Sequence, residues 1–241
     1  MGYVLEMSEF GRLALVGSGE YLPVMAELES SLIQSGPSLR YVQLATAAGQ
    51  ESDERLRYWE RIGKEQADRI GAQQVFLPVF TREDAMRMDF AEKIRGAGLI
   101  YLSGGDPHYL AQTLFDTPVW EAIIASWKSG TSLAGCSAGA MAFGPDIPHF
   151  RKMKESGEIG LGLLPNIRVV PHYNKFFKWI PESAVQLFLK APEGVRIVGI
   201  DEGTAIVTNN LKVWSIYGDG FAHLLNGKNT GKYESGSEVK I

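Results

Sequence analysis

Short apolar runs recur along this chain, and most of them end at glycine or another small residue. "RLALVG" (12–17), "LRYVQLATAA" (39–48), "QQVFLPVF" (73–80), "GLIYLSGGD" (98–106) and "TSLAG" (131–135) are the first five. Runs this short and this apolar suit strands buried on both faces. Segments of helical spacing separate them. "LPVMAELESSLIQSG" follows the first run and closes on glycine. Ser52 can cap a helix running through Trp59 and Ile62 to Gly71, with Asp53 and Glu54 at the positive end of its dipole. Thr81 followed by Asp84 has capping-box spacing. "PHYLAQTLF" and "PVWEAIIASWKSG" supply two further helices. The alternation predicts an α/β fold: a doubly wound, mostly parallel sheet flanked by helices.

The last third changes character. Residues 144–166 are rich in glycine and proline and read as irregular. "NIRVVPHY" (166–173) is another strand, and "ESAVQLFLK" (182–190) a helix. "VRIVGIDEGTAIVTNNLKVWSIYGDGFAHLL" holds short alternating runs broken by "NN" and "GDG", which signal a C-terminal antiparallel hairpin. With no internal repeat or linker, residues 1–10 read as an extension and 11–241 as a single α/β domain.

Composition narrows the function. A net charge of −4 disfavours a nucleic-acid partner, which calls for clustered positive charge. A single cysteine excludes an internal disulfide framework and a multi-cysteine zinc site, so neither metal nor other cofactor is expected. "MGYVLEMSEF" lacks the basic start and long apolar run of a signal peptide. No run reaches the ~18 apolar residues of a spanning helix. The expectation is a cytoplasmic protein with no membrane partner, monomeric or homodimeric.

In open parallel sheets, ligands sit beyond the carboxyl ends of the strands. The residues there are "GSGE", "TAA", "SGGD", "GCSAG" and "PHYN". Small residues and reactive side chains gather, as they would around a shared site. "GCSAG" fits G-x-S-x-G between a strand and a helix, with Ser137 as the nucleophile of a sharp turn. Gly135, Ala138, Gly139 and Ala140 meet the demand for small neighbours. The Ala138 amide would share the space of the Ser137 hydroxyl, and Gly104 and Gly105 are candidates for a second oxyanion amide. Cys136 lies off the glycine frame and reads as a small buried hydrophobe.

A serine needs a base. Of the four histidines, His172 directly follows a strand and should stand at the same edge as Ser137. His108 opens a helix near "GGD" and could touch substrate, His149 lies in the irregular segment, and His223 lies in the hairpin. Glu202, Asp146 and Asp201 all remain candidates for the acid. Asp106, His108 and Asn174 are read as substrate-binding.

These motifs, in this order, resemble the serine peptidases that include aspartyl dipeptidase (dipeptidase E) and cyanophycinase, built on the class I glutamine amidotransferase-like fold. The motifs are "GSGE", "SGGDPHYLAQTL", "GCSAGAM", "VVPHYN" and "GIDEGTAIV", and they span most of the chain. The resemblance implies a Ser–His–acid hydrolase of short peptides, with Ser137 as nucleophile, His172 as base and oxyanion amides from the "SGGD" loop and Ala138. For the acid, Glu202 aligns more cleanly than Asp146. The arginine-rich run that follows the histidine in cyanophycinases is missing. "YNKFFKWIPESAV" offers only Lys175 and Lys178, which makes cyanophycin an unsuitable substrate. Arg151, Lys152, Lys154, Lys175 and Lys178 are the nearby cations for a substrate carboxylate.

Three other readings compete. An α/β-hydrolase esterase would use Ser137, Asp201 and His223, in that chain order. A glutamine amidotransferase would want cysteine at the elbow and a later His-x-Glu, where this chain has "HYN". A noncatalytic binding module on the same scaffold would leave Ser137 unreactive.

Overall fold

The computed structural model describes residues 10–148, 158–175 and 191–241. The expected helix at 182–190 lies outside them, as do His149, Arg151, Lys152, Lys154 and Lys178.

The first half is the predicted alternation. β1 (Leu13–Val16), α1 (Ala26–Gln34), β2 (Arg40–Leu44), α2 (Asp53–Arg69) and β3 (Gln73–Phe76) come first. Then follow α3 (Arg82–Ala85), α4 (Met88–Ile94), β4 (Leu99–Leu102), α5 (Pro107–Leu114), α6 (Pro118–Lys128), β5 (Ser132–Cys136) and α7 (Ala138–Ala142). β1, β4 and β5 are buried along their whole length, as their unbroken apolar runs require. The caps are where the sequence puts them. Ser52 accepts from Arg55 N at the start of α2, and Thr81 and Asp84 form the reciprocal capping box of α3. Each of the two proline-led helices, α5 and α6, is capped by the residue before the proline, Asp106 and Thr117.

Two short strands, β6 (Asp146–Ile147) and β7 (Glu158–Ile159), pair as a ribbon. Then come β8 (Ile167–Pro171), β9 (Arg196–Ile200), β10 (Thr204–Thr208) and β11 (Val213–Gly218). β12 (Phe221–Leu224), β13 (Gly231–Glu234) and β14 (Glu238–Lys240) complete the chain. The main sheet has eight strands in the order β14-β11-β10-β1-β5-β4-β2-β3. β1 to β5 run parallel, while β10, β11 and β14 add on antiparallel beside β1. A separate four-stranded sheet has the order β13-β12-β9-β8.

Period-two alternation splits the core between the faces of the main sheet. Leu13, Leu15, Ile100 and Leu102 join the cluster built with α4 to α7 and with Val169, Val198 and Ile200 of the second sheet. Ala14, Val16, Leu99, Tyr101 and Cys136 join the cluster built with α1 and α2. Among the described residues no helix is long and apolar enough to cross a membrane.

One turn departs from expectation. "NN" does sit between the antiparallel β10 and β11. "GDG" does not make a hairpin: β11 and β12 belong to different sheets. The turn crosses between them, and its amides bond to the segment that joins β9 to β10. Asp219 N donates to Gly203 O at 3.0 Å. Gly220 N donates to Thr204 Oγ1 at 2.9 Å, and Phe221 N to Asp201 Oδ2 at 3.1 Å.

Candidate active site

β5 brings the chain to Ser137 and α7 carries it away. Ser137 stands at φ 50°, ψ −108°, a conformation that costs a non-glycine residue on the order of 1–3 kcal/mol. Ser137 N donates to Val16 O at 2.9 Å, and Met141 N donates to Ser137 O at 3.0 Å. The glycine frame has a spatial cause. A Cβ on Gly135 would lie 2.6 Å from the Gly139 carbonyl carbon, and one on Gly139 would lie 2.3 Å from Leu102 O. The strand and helix backbones touch, leaving no room for a side chain.

Ser137 is half-buried and Cys136 fully buried. Burial, with the Glu20 carboxylate beside it, pushes the Cys136 thiol up. A thiol kept protonated is a poor nucleophile.

His172 Nε2 lies 2.6 Å from Ser137 Oγ. The histidine follows β8 directly, at φ 127°. Lys175 N donates to His172 O at 3.0 Å and closes the turn. On the far side of the ring, Nδ1 lies 3.6 Å from Glu202 Oε1, an electrostatic contact longer than a hydrogen bond. Glu202 stands just beyond β9, and its N–H donates to Asn174 Oδ1 at 3.3 Å. The turns after β8 and β9 are thereby tied together. The other Glu202 oxygen pairs with Lys175 Nζ. That ammonium, with a smaller contribution from His172, holds the Glu202 carboxyl below its usual range.

The other candidate acids are engaged elsewhere. Asp146 Oδ2 accepts from Arg168 Nη2 at 2.5 Å, against a guanidinium side chain only 7% exposed. Asp201 Oδ1 lies 3.0 Å from His223 Nε2 inside the second sheet. Burial lowers the His223 pKa against the pull of Asp201, and its ring packs 4.3 Å from that of Tyr173. Ser137, Asp201 and His223 are thus not assembled as the esterase reading requires: Ser137 meets His172.

The three oxyanion candidates divide. Gly104 N donates to Glu20 Oε1 at 2.9 Å, so this amide is already engaged, contrary to expectation. A carboxylate reaching over from the β1 turn is the reason. Among the described residues, the Gly105 and Ala138 amides have no acceptor. Gly105 is exposed.

The substrate-binding expectations fare unevenly. The Asp106 carboxylate caps α5, accepting from His108 N at 2.9 Å and Tyr109 N at 3.1 Å. His108 is half-buried in the first turn of that helix. Asn174 is exposed beside Glu202. Lys175, considered as a cation for substrate, is instead the ion-pair partner of Glu202. Glu20 escaped the sequence reading. "GSGE" stood out for its glycines, and nothing in the one-dimensional pattern says that the carboxylate crosses to two other motifs.

Comparison with known proteins places the chain in a family. The sequence model of Peptidase family S51 matches residues 13–216. The crystal structure of a peptidase from an acI-B1 Actinobacterium superposes with a TM-score of 0.92 at 47% identity, covering 96% of this chain and 97% of that one. A cyanophycinase of Trichormus variabilis is 29% identical over 192 residues, 72% of this chain. This chain spans only 59% of that relative's length. An uncharacterised peptidase of Listeria innocua is 26% identical over 181 residues, 71% of this chain and 81% of its own.

Proposed function

Because the chain belongs to peptidase family S51, we propose that it is a serine peptidase hydrolysing short peptides, as a dipeptidase E does, through an acyl-enzyme on Ser137. The observation that carries this is the 2.6 Å contact between Ser137 Oγ and His172 Nε2. His172 takes the hydroxyl proton as Oγ attacks the scissile carbonyl carbon. The Glu202 carboxylate faces Nδ1, orients the ring and offsets the charge of the imidazolium. The Gly105 and Ala138 amides receive the oxyanion. His172 then returns the proton to the leaving amine, and water repeats the sequence on the ester.

Residues 11–241 act as one catalytic domain in this reading, placed in the cytoplasm and in need of no cofactor. Cyanophycin does not fit as substrate. Of the two lysines after His172, Lys175 is paired with Glu202, which leaves no cationic run for an Asp–Arg polymer.

A dipeptide library screened against wild type and Ser137→Ala tests the reading. Cleavage of a subset of dipeptides by wild type, and none by Ser137→Ala, is the expected result. Equal turnover by the two proteins would overturn it.

A further inference from the structure

Glu20 takes no part in the proton transfers above, yet it stands at the site. It ends the "GSGE" turn after β1, and its two oxygens serve two other strands. Oε1 accepts from Gly104 N, in the turn after β4, at 2.9 Å. Oε2 accepts from Cys136 Sγ, at the end of β5 and next to Ser137, at 2.9 Å. A Cβ built on Gly104 would lie 2.7 Å from Glu20 Oε1 and 3.4 Å from Ser137 Cβ. The carboxylate and the nucleophile therefore flank the same face of the glycine turn.

A carboxylate is electrostatically a poor neighbour for a developing oxyanion. What it offers is geometry. Gly105 stands at φ 141° in an exposed stretch, and its amide helps only if held within hydrogen-bond distance of the reacting oxygen. From the side away from Ser137, the turn is tied by Ser103 N to Leu44 O and Asp106 N to Ala47 O. On the Ser137 side the tie is Glu20. Its anchor is a buried thiol that keeps its proton to donate.

We propose that Glu20 is a positioning residue. By accepting the Gly104 amide and the Cys136 thiol together, it holds the Gly105 amide in register with that of Ala138 across Ser137. Cys136 thereby gains a role as the donor that anchors Glu20. The proposal rests on the Ser137 reading above, and one experiment separates the two.

A fluorophosphonate reacts without any knowledge of the natural peptide. Ser137 Oγ bonds to phosphorus, fluoride leaves, His172 takes the hydroxyl proton, and a phosphonyl oxygen fills the oxyanion position. Maximal labelling rate and half-saturating concentration are measured alongside melting temperature for wild type, Glu20→Ala, Glu20→Gln, Cys136→Ala and Cys136→Ser. Glu20→Ala should lower the maximal rate on the order of 10²-fold, the scale of a lost oxyanion donor. Its half-saturating concentration should stay within about threefold of wild type. Glu20→Gln keeps an acceptor for Gly104 N but turns an N–H rather than an oxygen toward Cys136, so its rate should match that of Cys136→Ala, between wild type and Glu20→Ala. Cys136→Ser keeps a donor and should behave like wild type, while Cys136→Ala falls between. Equal loss in Glu20→Ala and Glu20→Gln would overturn the proposal, because charge rather than geometry would then matter. So would an effect confined to half-saturation, a wild-type rate in Glu20→Ala, or losses that merely track melting temperature. Failure of wild type to label at all would remove the Ser137 reading itself, and this proposal with it.

Discussion

At the scale of single residues, the site is built from strained backbone and paired charge. Ser137 and His172 both stand at positive φ, which persists only where the surroundings over-determine it. Glu202 and Asp146 look interchangeable in a sequence, since each is an acid near a motif. Their partners differ: Glu202 faces His172 Nδ1, and Asp146 faces the buried Arg168. Glu202→Gln should therefore lower turnover on the order of 10⁴-fold, the cost seen for losing an orienting acid in another triad. Its unfolding midpoint in denaturant should barely move. Asp146→Asn should do the reverse, keeping most of the activity and losing stability as the Arg168 guanidinium gives up the Asp146 charge. Turnover and denaturant titration of the two variants check both halves. Ser137 and His172 were legible because a glycine frame and a strand end mark them. The link from Gly104 to Glu20 was not, because it joins residues 84 positions apart.

At the scale of elements, local chemistry was the better guide. Ser52, Thr81 and the prolines of α5 and α6 mark helix starts through their own side chains, so no tertiary contact is needed to find them. The elbow is different. Its glycines announce a tight turn, but the reason is a contact with a third element, Leu102 of β4. Gly139→Ala would force that backbone and α7 apart. It should destabilise the protein by about 1–3 kcal/mol, the usual cost of overpacking, and slow fluorophosphonate labelling of Ser137. Thermal melting and labelling of the one variant report the two effects. An alanine at 139 that melts and labels like wild type would show that the elbow does not depend on the close approach. "GDG" shows the limit of local reading, because a turn signal says that the chain bends and not which sheet it bends toward.

At the scale of the whole molecule, the site forms where two sheets meet. Ser137 comes from the main sheet, while His172 and Glu202 follow β8 and β9 of the second. Behind the main sheet, α1 buries Glu29 at 1% exposure. The carboxyl takes the Tyr41 hydroxyl at 2.8 Å and Tyr21 N at 3.3 Å. Burial nevertheless dominates and raises its pKa from 4.5 to about 7. A raised carboxyl pKa means that the folded state prefers the proton. Stability from this group is thus full below about pH 4.5 and is lost as pH rises toward 7, where the folded protein also gives up the proton. The loss is on the order of 3 kcal/mol across that window. Denaturant titrations from pH 4.5 to 8 should show the decline in wild type and a smaller one in Glu29→Gln. Identical pH profiles would remove Glu29 as its source.

The sequence by itself determined the strand–helix alternation, the caps, the glycine-framed serine and a histidine placed at a strand end. Each of these is written in a few neighbouring residues, through apolar period, glycine spacing or a side chain that bonds its own backbone. The tertiary structure alone decided that His172 reaches Ser137 from a second sheet, that Asp146 belongs to Arg168, and that Glu20 takes the Gly104 amide. Those are contacts between distant segments. Their geometry depends on how the two sheets and their loops pack, and no local pattern in the chain records it.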